Sequence, residues 1–103
     1  AIDAVREGVT AGAVDRAARS VLKRHGLDRA FTHSTGHGLG LEIHEPPRIG
    51  RGETTRLTAG MAITIEPGAY IENFGGVRIE DTVLVTRTGC ENLTPVRKEL
   101  IAL

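Results

Sequence analysis

The chain has 103 residues, 13 basic and 13 acidic side chains that balance to a formal net charge of zero, and one cysteine. This length suits one modest domain, and the charge balance argues against nucleic acid or an anionic membrane as the main partner, because both select a basic surface. No apolar stretch approaches the roughly 20 residues that cross a bilayer. The lone Cys90 cannot form an internal disulfide, which is typical of a cytoplasmic protein.

The first predicted element is a helix within residues 9–26. Apolar residues recur there at helical spacing from Val14 to Leu22, with Thr10 as the expected N-cap and Gly26 as the left-handed residue after the helix. The basic residues are expected to form a solvated face, namely Arg16, Arg19, Lys23 and Arg24. Because the chain opens on a helix-like segment without an initiator methionine, we expect it to be a piece of a longer protein.

Three alternating segments after the helix predict strands at 39–44 ("LGLEIH"), 61–66 ("MAITIE") and 77–86 ("VRIEDTVLVT"). Residues 46–57, rich in proline, glycine and charge, are predicted to be a loop. One helix followed by alternating strands is typical of an α+β fold, with the helix packed on a curved, mostly antiparallel sheet. The apolar rows are expected to face inward: Leu39, Leu41, Ile43, Met61, Ile63, Ile65, Val77, Ile79, Val83 and Val85.

Polar side chains occupy the second face of these predicted strands: His44, Glu66, Arg78 and Glu80. Such residues either meet water or line a cleft. The small Ala62 and Thr64 beside Glu66 leave room for a ligand. An imidazole and two carboxylates on neighbouring strands suit a divalent metal such as Mn, Co, Fe or Zn.

The histidines before the first predicted strand admit two arrangements. His33 and His37 have the i, i+4 spacing of a zinc-binding helix, but Gly36 and Gly38 argue against a helix, so we reject that interpretation. A glycine-rich entry to a strand fits better. His37 and His44 are seven residues apart and would face opposite sides of a regular strand, so only a bulge or a turn can bring both to one site.

Three segments, "HSTGHGLGLEIHE", "GMAITIEPGAYI" and "GGVRIEDTVLVT", resemble successive signature blocks of the pita-bread metallopeptidases. The resemblance runs from about Val9 to about Thr94 and favours the Xaa-Pro branch, aminopeptidase P and prolidase. The paired "RIED" and the position of His33 set it apart from methionine aminopeptidases, which share "GHG", "IEP" and "TVLVT". It implies that residues 1–103 are one partial domain, the C-terminal half of a pita-bread catalytic domain.

Matched position by position, the resemblance implies that His37, Glu66 and Glu80 are metal ligands. The family binds two divalent ions with five ligands, and the two remaining aspartates have no match among Asp3, Asp15 and Asp28. Manganese is the first choice of metal, with cobalt, zinc and iron as alternatives. The 103 residues alone are therefore expected to bind metal weakly and to hydrolyse little.

The resemblance also implies catalytic roles for His33, His44 and Glu66, with Arg78 supporting the ligands. The two histidines would contact substrate and stabilise the tetrahedral intermediate, and Glu66 would also handle a proton. The implied reaction is hydrolysis of an Xaa-Pro bond, at the N-terminus of peptides or in dipeptides, by water that two metal ions activate. The expected partner is a peptide with proline at its second position, in the cytoplasm; a homodimer is left open.

Three alternatives remain beside this hypothesis. Methionine aminopeptidase-like specificity is the second choice for an enzyme. A non-catalytic pita-bread module that binds peptides or proteins is the alternative from another class, and a metal-free hydrolase of the creatinase kind is the third. The retained His37, Glu66 and Glu80 argue against the last two.

Overall fold

The computed structural model describes all 103 residues and contains one α-helix and seven β-strands. Two short 3-10 turns lie at Ile2–Ala4 and Asp28–Ala30. No helix combines the length and the apolar character that a membrane crossing requires. In chain order the elements are α1 (Ala11–Arg24), β1 (Gly36–Gly38), β2 (Glu45–Ile49), β3 (Ala62–Ile65), β4 (Gly68–Ile71), β5 (Gly75–Arg78), β6 (Asp81–Val85) and β7 (Cys90–Asn92).

Helix α1 begins and ends as the sequence predicts. The Thr10 hydroxyl caps it by accepting a hydrogen bond from the Ala13 amide at 3.2 Å, and Gly26 follows it with φ of +70°. Val14 and Ala18 are buried, and Val14 belongs to the same core cluster as the sheet residues Ile49 and Ile63. The predicted solvated face is wrong at Arg19, because this side chain is only 15% exposed and pairs with Asp15 inside the fold.

Five strands form one antiparallel sheet in the order β2-β1-β3-β6-β7, while β4 and β5 form a separate hairpin. The predicted α+β class, with a helix on an antiparallel sheet, is confirmed. One edge of the sheet is β2, which contains Pro46 and Pro47, and the other edge is β7. The hydrophobic core packs the N-terminal segment and helix α1 against the sheet. Its buried residues are Val5, Ala11, Val14, Ile49, Leu57, Ile63, Ile65, Val83 and Val85.

The segment predicted as a strand at 61–66 is confirmed as β3, with Ile63 and Ile65 buried and Ile63 paired with Val83 of β6. The predicted single strand at 77–86 is wrong, since it divides into β5 and β6, which belong to different sheets. Val77 and Ile79 are 62% and 45% exposed rather than inward-facing. The division arises because residues 77–78 pair back on β4 within a tight hairpin, whereas residues 81–84 pair with β3.

The predicted strand at 39–44 is also wrong. This segment bends back on itself, and Leu41 and Ile43 are 107% and 71% exposed. Alternation of side chains indicates a strand only where the backbone is extended and paired, and here local bonds replace a ladder: the Gly40 amide donates to the Glu42 carbonyl at 3.2 Å. The loop predicted at 46–57 is wrong over its first residues, because β2 runs through Glu45–Ile49.

Candidate active site

The centre of the site is a contact between His37, in the middle of β1, and Glu66, directly after β3. The two strands come close because β1 has no side chain at Gly36, where a Cβ atom would overlap the carbonyl oxygen of Thr64. The glycine therefore allows His37 Nε2 to lie 3.1 Å from Glu66 Oε1. Both side chains are largely buried, with 19% and 13% of their surfaces exposed.

Thr64 links these two residues through its hydroxyl group. The backbone amide of His37 donates to Thr64 Oγ1 at 3.1 Å, and that hydroxyl donates to Glu66 Oε1 at 2.8 Å. Thr64 is 3% exposed, so water does not compete strongly for these bonds. The hydroxyl therefore sets the direction of one carboxylate oxygen relative to β1.

The second nitrogen of His37 determines which atom faces the carboxylate. His37 Nδ1 lies 2.8 Å from the Gly38 carbonyl oxygen, which can only accept, so Nδ1 carries the hydrogen. In the neutral ring Nε2 then presents a lone pair to an anionic oxygen, and two acceptors at this separation repel unless a proton or a cation lies with them. A backbone carbonyl that fixes the tautomer is also the usual arrangement behind a metal-binding histidine. The pair thus fits one side of a divalent-metal site.

Arg78, at the end of β5, lies on the other side of the same carboxylate. Its Nη1 is 3.8 Å from Glu66 Oε2, and the arginine side chain is 51% exposed. At this distance and exposure the contact contributes little to stability, but it places a permanent positive charge beside Glu66.

His44 reaches the site through an irregularity in the pairing of β1 and β2. The register shifts between His37 and Gly38, so Glu45 pairs with Gly38 while Arg48 pairs with His37. The ring of His44 consequently lies 4.4 Å from that of His37, centroid to centroid. The expectation that a bulge or turn must unite these two histidines is confirmed.

His33 lies in the loop before β1 and is held at both ring nitrogens. Nδ1 donates to the Ser34 carbonyl at 2.7 Å, and Nε2 lies 2.8 Å from the Tyr70 hydroxyl of β4. Phe31 packs edge-on against the ring, with centroids 5.0 Å apart. With its hydrogen on Nδ1, the ring accepts from the Tyr70 hydroxyl at Nε2.

A cavity of about 700 Å³ brings together five of the six candidate residues: His33, His37, His44, Glu66 and Arg78. The sixth, Glu80, is exposed and lines a smaller adjoining cavity of about 330 Å³ together with His37 and Glu66. No three or more His, Cys, Asp or Glu side chains converge closely enough to hold a metal ion within the chain. The structure therefore joins His37 to Glu66 directly, and Glu80 to them only through a shared cavity.

Two residues of the site were not assigned a role from the sequence. Thr64 was noted only as a small neighbour of Glu66, although its i, i+2 spacing already places it on the carboxylate's face of the strand. Tyr70 lies in β4, which the strand prediction missed, so no pattern indicated that it would meet His33.

Residues 1–87 match the model of metallopeptidase family M24, and the chain belongs to that family. It is 52% identical over 101 residues to the Xaa-Pro dipeptidase of Pyrococcus furiosus, an alignment that covers 98% of this chain and 29% of that protein.

Solved structures give the same result for the fold. A prolidase from Pyrococcus furiosus superposes with a TM-score of 0.92 and 52% identity over 94% of this chain and 29% of its own. An Xaa-Pro dipeptidase from Bacillus anthracis superposes with a TM-score of 0.96 and 46% identity over 99% of this chain and 29% of its own. The chain spans about 29% of the length of these relatives, and its architecture is consistent with a pita-bread half-domain.

Proposed function

We propose that this chain is the C-terminal half of the catalytic domain of a metal-dependent peptidase that hydrolyses Xaa-Pro bonds. The observation that carries the proposal is the contact between His37 Nε2 and Glu66 Oε1 at 3.1 Å, in which both atoms offer lone pairs inside a cavity. Membership of a metallopeptidase family and the similarity to Xaa-Pro dipeptidases support it.

His37, Glu66 and Glu80 are the proposed metal ligands, and two aspartates from outside these 103 residues would complete a site for two ions. One imidazole among carboxylates suits manganese first, then cobalt, iron or zinc. When bound, such ions would supply Lewis-acid chemistry, namely polarisation of the scissile carbonyl group and a lower pKa of the attacking water. The support from this chain is the Nδ1 hydrogen bond, which leaves a lone pair on His37 Nε2 for a metal ion, and the cavity that Glu80 shares with the pair.

Glu66 is the proposed proton carrier of the reaction. The Thr64 hydroxyl holds Oε1 toward His37, and Arg78 lies 3.8 Å from Oε2. The two oxygens therefore have different surroundings, and the proposed role of the carboxylate is to take a proton from the attacking water and to pass it to the leaving amine.

His44 and His33 are the proposed substrate-contacting residues. His44 is exposed beside His37 and lines the cavity, so a ring N–H is accessible to the carbonyl oxygen of a bound peptide and to the negative charge that develops on it. The Tyr70 hydroxyl anchors the ring of His33, which also lines the cavity. A stiff proline ring at the second position of the peptide would be selected by the shape of this space.

In the decisive experiment, this chain replaces the matching segment of the Pyrococcus furiosus Xaa-Pro dipeptidase to give a chimera. We expect the chimera, with Mn²⁺, to hydrolyse Met-Pro and to leave Met-Ala largely intact, because the tertiary amide is selected. The Glu66→Gln chimera should lose at least about a hundredfold in kcat. A folded chimera without Met-Pro activity contradicts the proposal, and preferential cleavage of Met-Ala supports a methionine aminopeptidase-like specificity instead.

The unmodified 103-residue chain is the companion sample. We expect little turnover of Met-Pro by this chain with Mn²⁺, since three of five proposed ligands hold the ions weakly; full activity contradicts the five-ligand arrangement. A cytoplasmic location belongs to the same proposal and is supported by the single cysteine, which is free. A homodimer is also proposed, and the elution volume of the chimera in size-exclusion chromatography tests it.

A further inference from the structure

Helix α1 carries a buried ion pair that the proposed reaction does not use directly. Asp15 is fully buried, and its Oδ2 accepts from Arg19 Nε at 2.8 Å, one turn along the helix. An ionised pair in this position needs further hydrogen bonds to offset its loss of hydration. Those bonds all lead to the loop that carries His33.

The guanidinium group of Arg19 binds the backbone of this loop at two carbonyl groups. Its Nη1 donates to the Phe31 carbonyl at 3.2 Å, and its Nη2 donates to the His33 carbonyl at 2.8 Å. The same group lies over the Phe31 ring, 4.3 Å from the centroid, and Phe31 packs against the His33 ring. Arg19 therefore fixes His33 through its own backbone and through its aromatic neighbour.

The second oxygen of Asp15 leads to Glu66. Thr35, which is fully buried, donates its hydroxyl hydrogen to Asp15 Oδ1 at 2.8 Å. The Thr35 carbonyl in turn accepts from the Glu66 amide at 2.6 Å. One carboxylate thus connects helix α1 to the backbone of both a substrate-contacting histidine and the central glutamate.

We propose that Asp15 and Arg19 are positioning residues that orient His33 by one branch and Glu66 by the other. The kinetic part of this inference rests on the proposed function, while the structural part does not. The planar guanidinium group supplies three donors in fixed directions to Asp15, Phe31 and His33, and a lysine ammonium cannot reproduce that fork. A displacement of about 1 Å at a reacting group is enough to lower a rate about a hundredfold.

The two branches can be separated by substitution. Asp15→Asn keeps an oxygen that accepts from Thr35 and removes the charge that holds Arg19, so it releases the His33 branch. Thr35→Val keeps the backbone carbonyl that accepts from Glu66 but removes the hydroxyl bond to Asp15, so it releases the Glu66 branch from helix α1. Arg19→Lys tests the fork itself, and Arg16→Lys, on an exposed position of the same helix, is the matched control.

The first readout is NMR of the 103-residue chain, following the imidazole signals of His33 and the amide signal of Glu66, with exposed His25 as reference. Asp15→Asn and Arg19→Lys should shift the His33 ring signals and leave Glu66 in place, and Thr35→Val should do the reverse. General loosening of the core would move both together. A folded Arg19→Lys variant with unchanged His33 signals overturns the proposal, as does a common response of both sites to all three changes.

The second readout is kinetics of the same variants in the chimera described above. Arg19→Lys should lower kcat for Met-Pro by about 10- to 100-fold with a KM near that of the parent, and Arg16→Lys should leave both unchanged. If the parent chimera has no Xaa-Pro activity, the proposed function fails while the NMR result still decides the positioning role. If Arg19→Lys does not fold, the opposite responses of Asp15→Asn and Thr35→Val decide it.

Discussion

The imidazole rings of His37 and His44 lie 4.4 Å apart, centroid to centroid, at an interplanar angle of 51°. Six residues of chain lie between them, and the bend over residues 40–44, together with the register shift after His37, lets both rings meet in one cavity. This bulge converts two histidines that would face opposite sides of a regular strand into neighbours. In this arrangement His37 Nε2 contacts Glu66, and the ring of His44 stays exposed in the cavity.

The first prediction concerns metal affinity. His37→Ala and Glu66→Gln should each lower the affinity of the 103-residue chain for Mn²⁺ by about tenfold or more, because the first removes the imidazole and the second removes the negative charge of the 3.1 Å contact. Isothermal titration calorimetry measures the change. His25→Ala, at the exposed end of helix α1, is the control, and an equal loss in that variant would mean that the metal binds elsewhere.

The second prediction concerns Thr64. Thr64→Val keeps the shape but leaves the His37 amide and a Glu66 oxygen without their bonding partner, so it should lower the free energy of unfolding by about 1–3 kcal/mol and also weaken Mn²⁺ binding. Urea denaturation and calorimetry measure the two effects. Thr82→Val, on the residue paired with Thr64 in β6, should change stability by no more than about 0.5 kcal/mol. Equal effects of the two substitutions would remove the special role of Thr64.

The third prediction concerns the close approach of β1 to β3. Gly36→Ala places a methyl group against the Thr64 carbonyl and should lower the free energy of unfolding by about 1–3 kcal/mol, because the strands must separate. Gly89→Ala, where a Cβ meets no atom within 4 Å, is the control. Urea denaturation of both variants suffices. A Gly36→Ala protein as stable as the Gly89→Ala protein would show that the strands tolerate separation.

The fourth prediction concerns pH and Asp81. Burial alone would raise the pKa of this carboxyl, but hydrogen bonds from Lys98, Asn92 and Thr94, together with the Lys98 charge, outweigh it and hold the pKa below its ordinary value of 3.8. The unfolded chain then binds more protons, so the stabilisation is present above the ordinary pKa and is lost as the pH falls from 3.8 through the folded-state pKa.

Urea denaturation across acidic pH tests this sign. Asp81→Asn should lower the free energy of unfolding at neutral pH by about 1.5–3 kcal/mol and should flatten its decline below pH 4 or so. Glu99→Gln is the control, since that side chain is 66% exposed in its pair with Arg97. Parallel pH curves for the parent and Asp81→Asn would contradict the assignment.

The sequence predicted those elements whose local pattern and tertiary pairing agree. Residues 61–66 alternate, and the core closes over Ile63 and Ile65, so the strand and its buried face were both predicted. Residues 39–44 alternate equally well, but beyond the Leu39 amide, which donates to the Ala62 carbonyl, the backbone bends over residues 40–44 instead of continuing as a strand. Alternation alone carries no information about pairing, which explains this error.

The candidate site divides in the same way. His37 and Glu66 could be predicted to meet because each lies in a segment that resembles a metal-binding motif of the family. Their contact is present in the structure. The roles of Asp15 and Arg19 could not, because both depend on a loop that returns to the helix from 12 or more residues along the chain. The sequence pattern of the helix does not distinguish Arg19 from its other basic residues. Arg19 is largely buried only because the carbonyl groups of Phe31 and His33 fold back onto it.

The two prolines of β2 have a consequence for the behaviour of the molecule in concentrated solution. Pro46 and Pro47 lie in an edge strand and carry no backbone N–H, so this part of the border has no donors for a strand from another molecule. The prolines therefore disfavour pairing of edge strand β2, which lies beside the cavity, with a strand of another molecule. The opposite border, at β7, has no such protection, and aggregation through strand pairing should begin there.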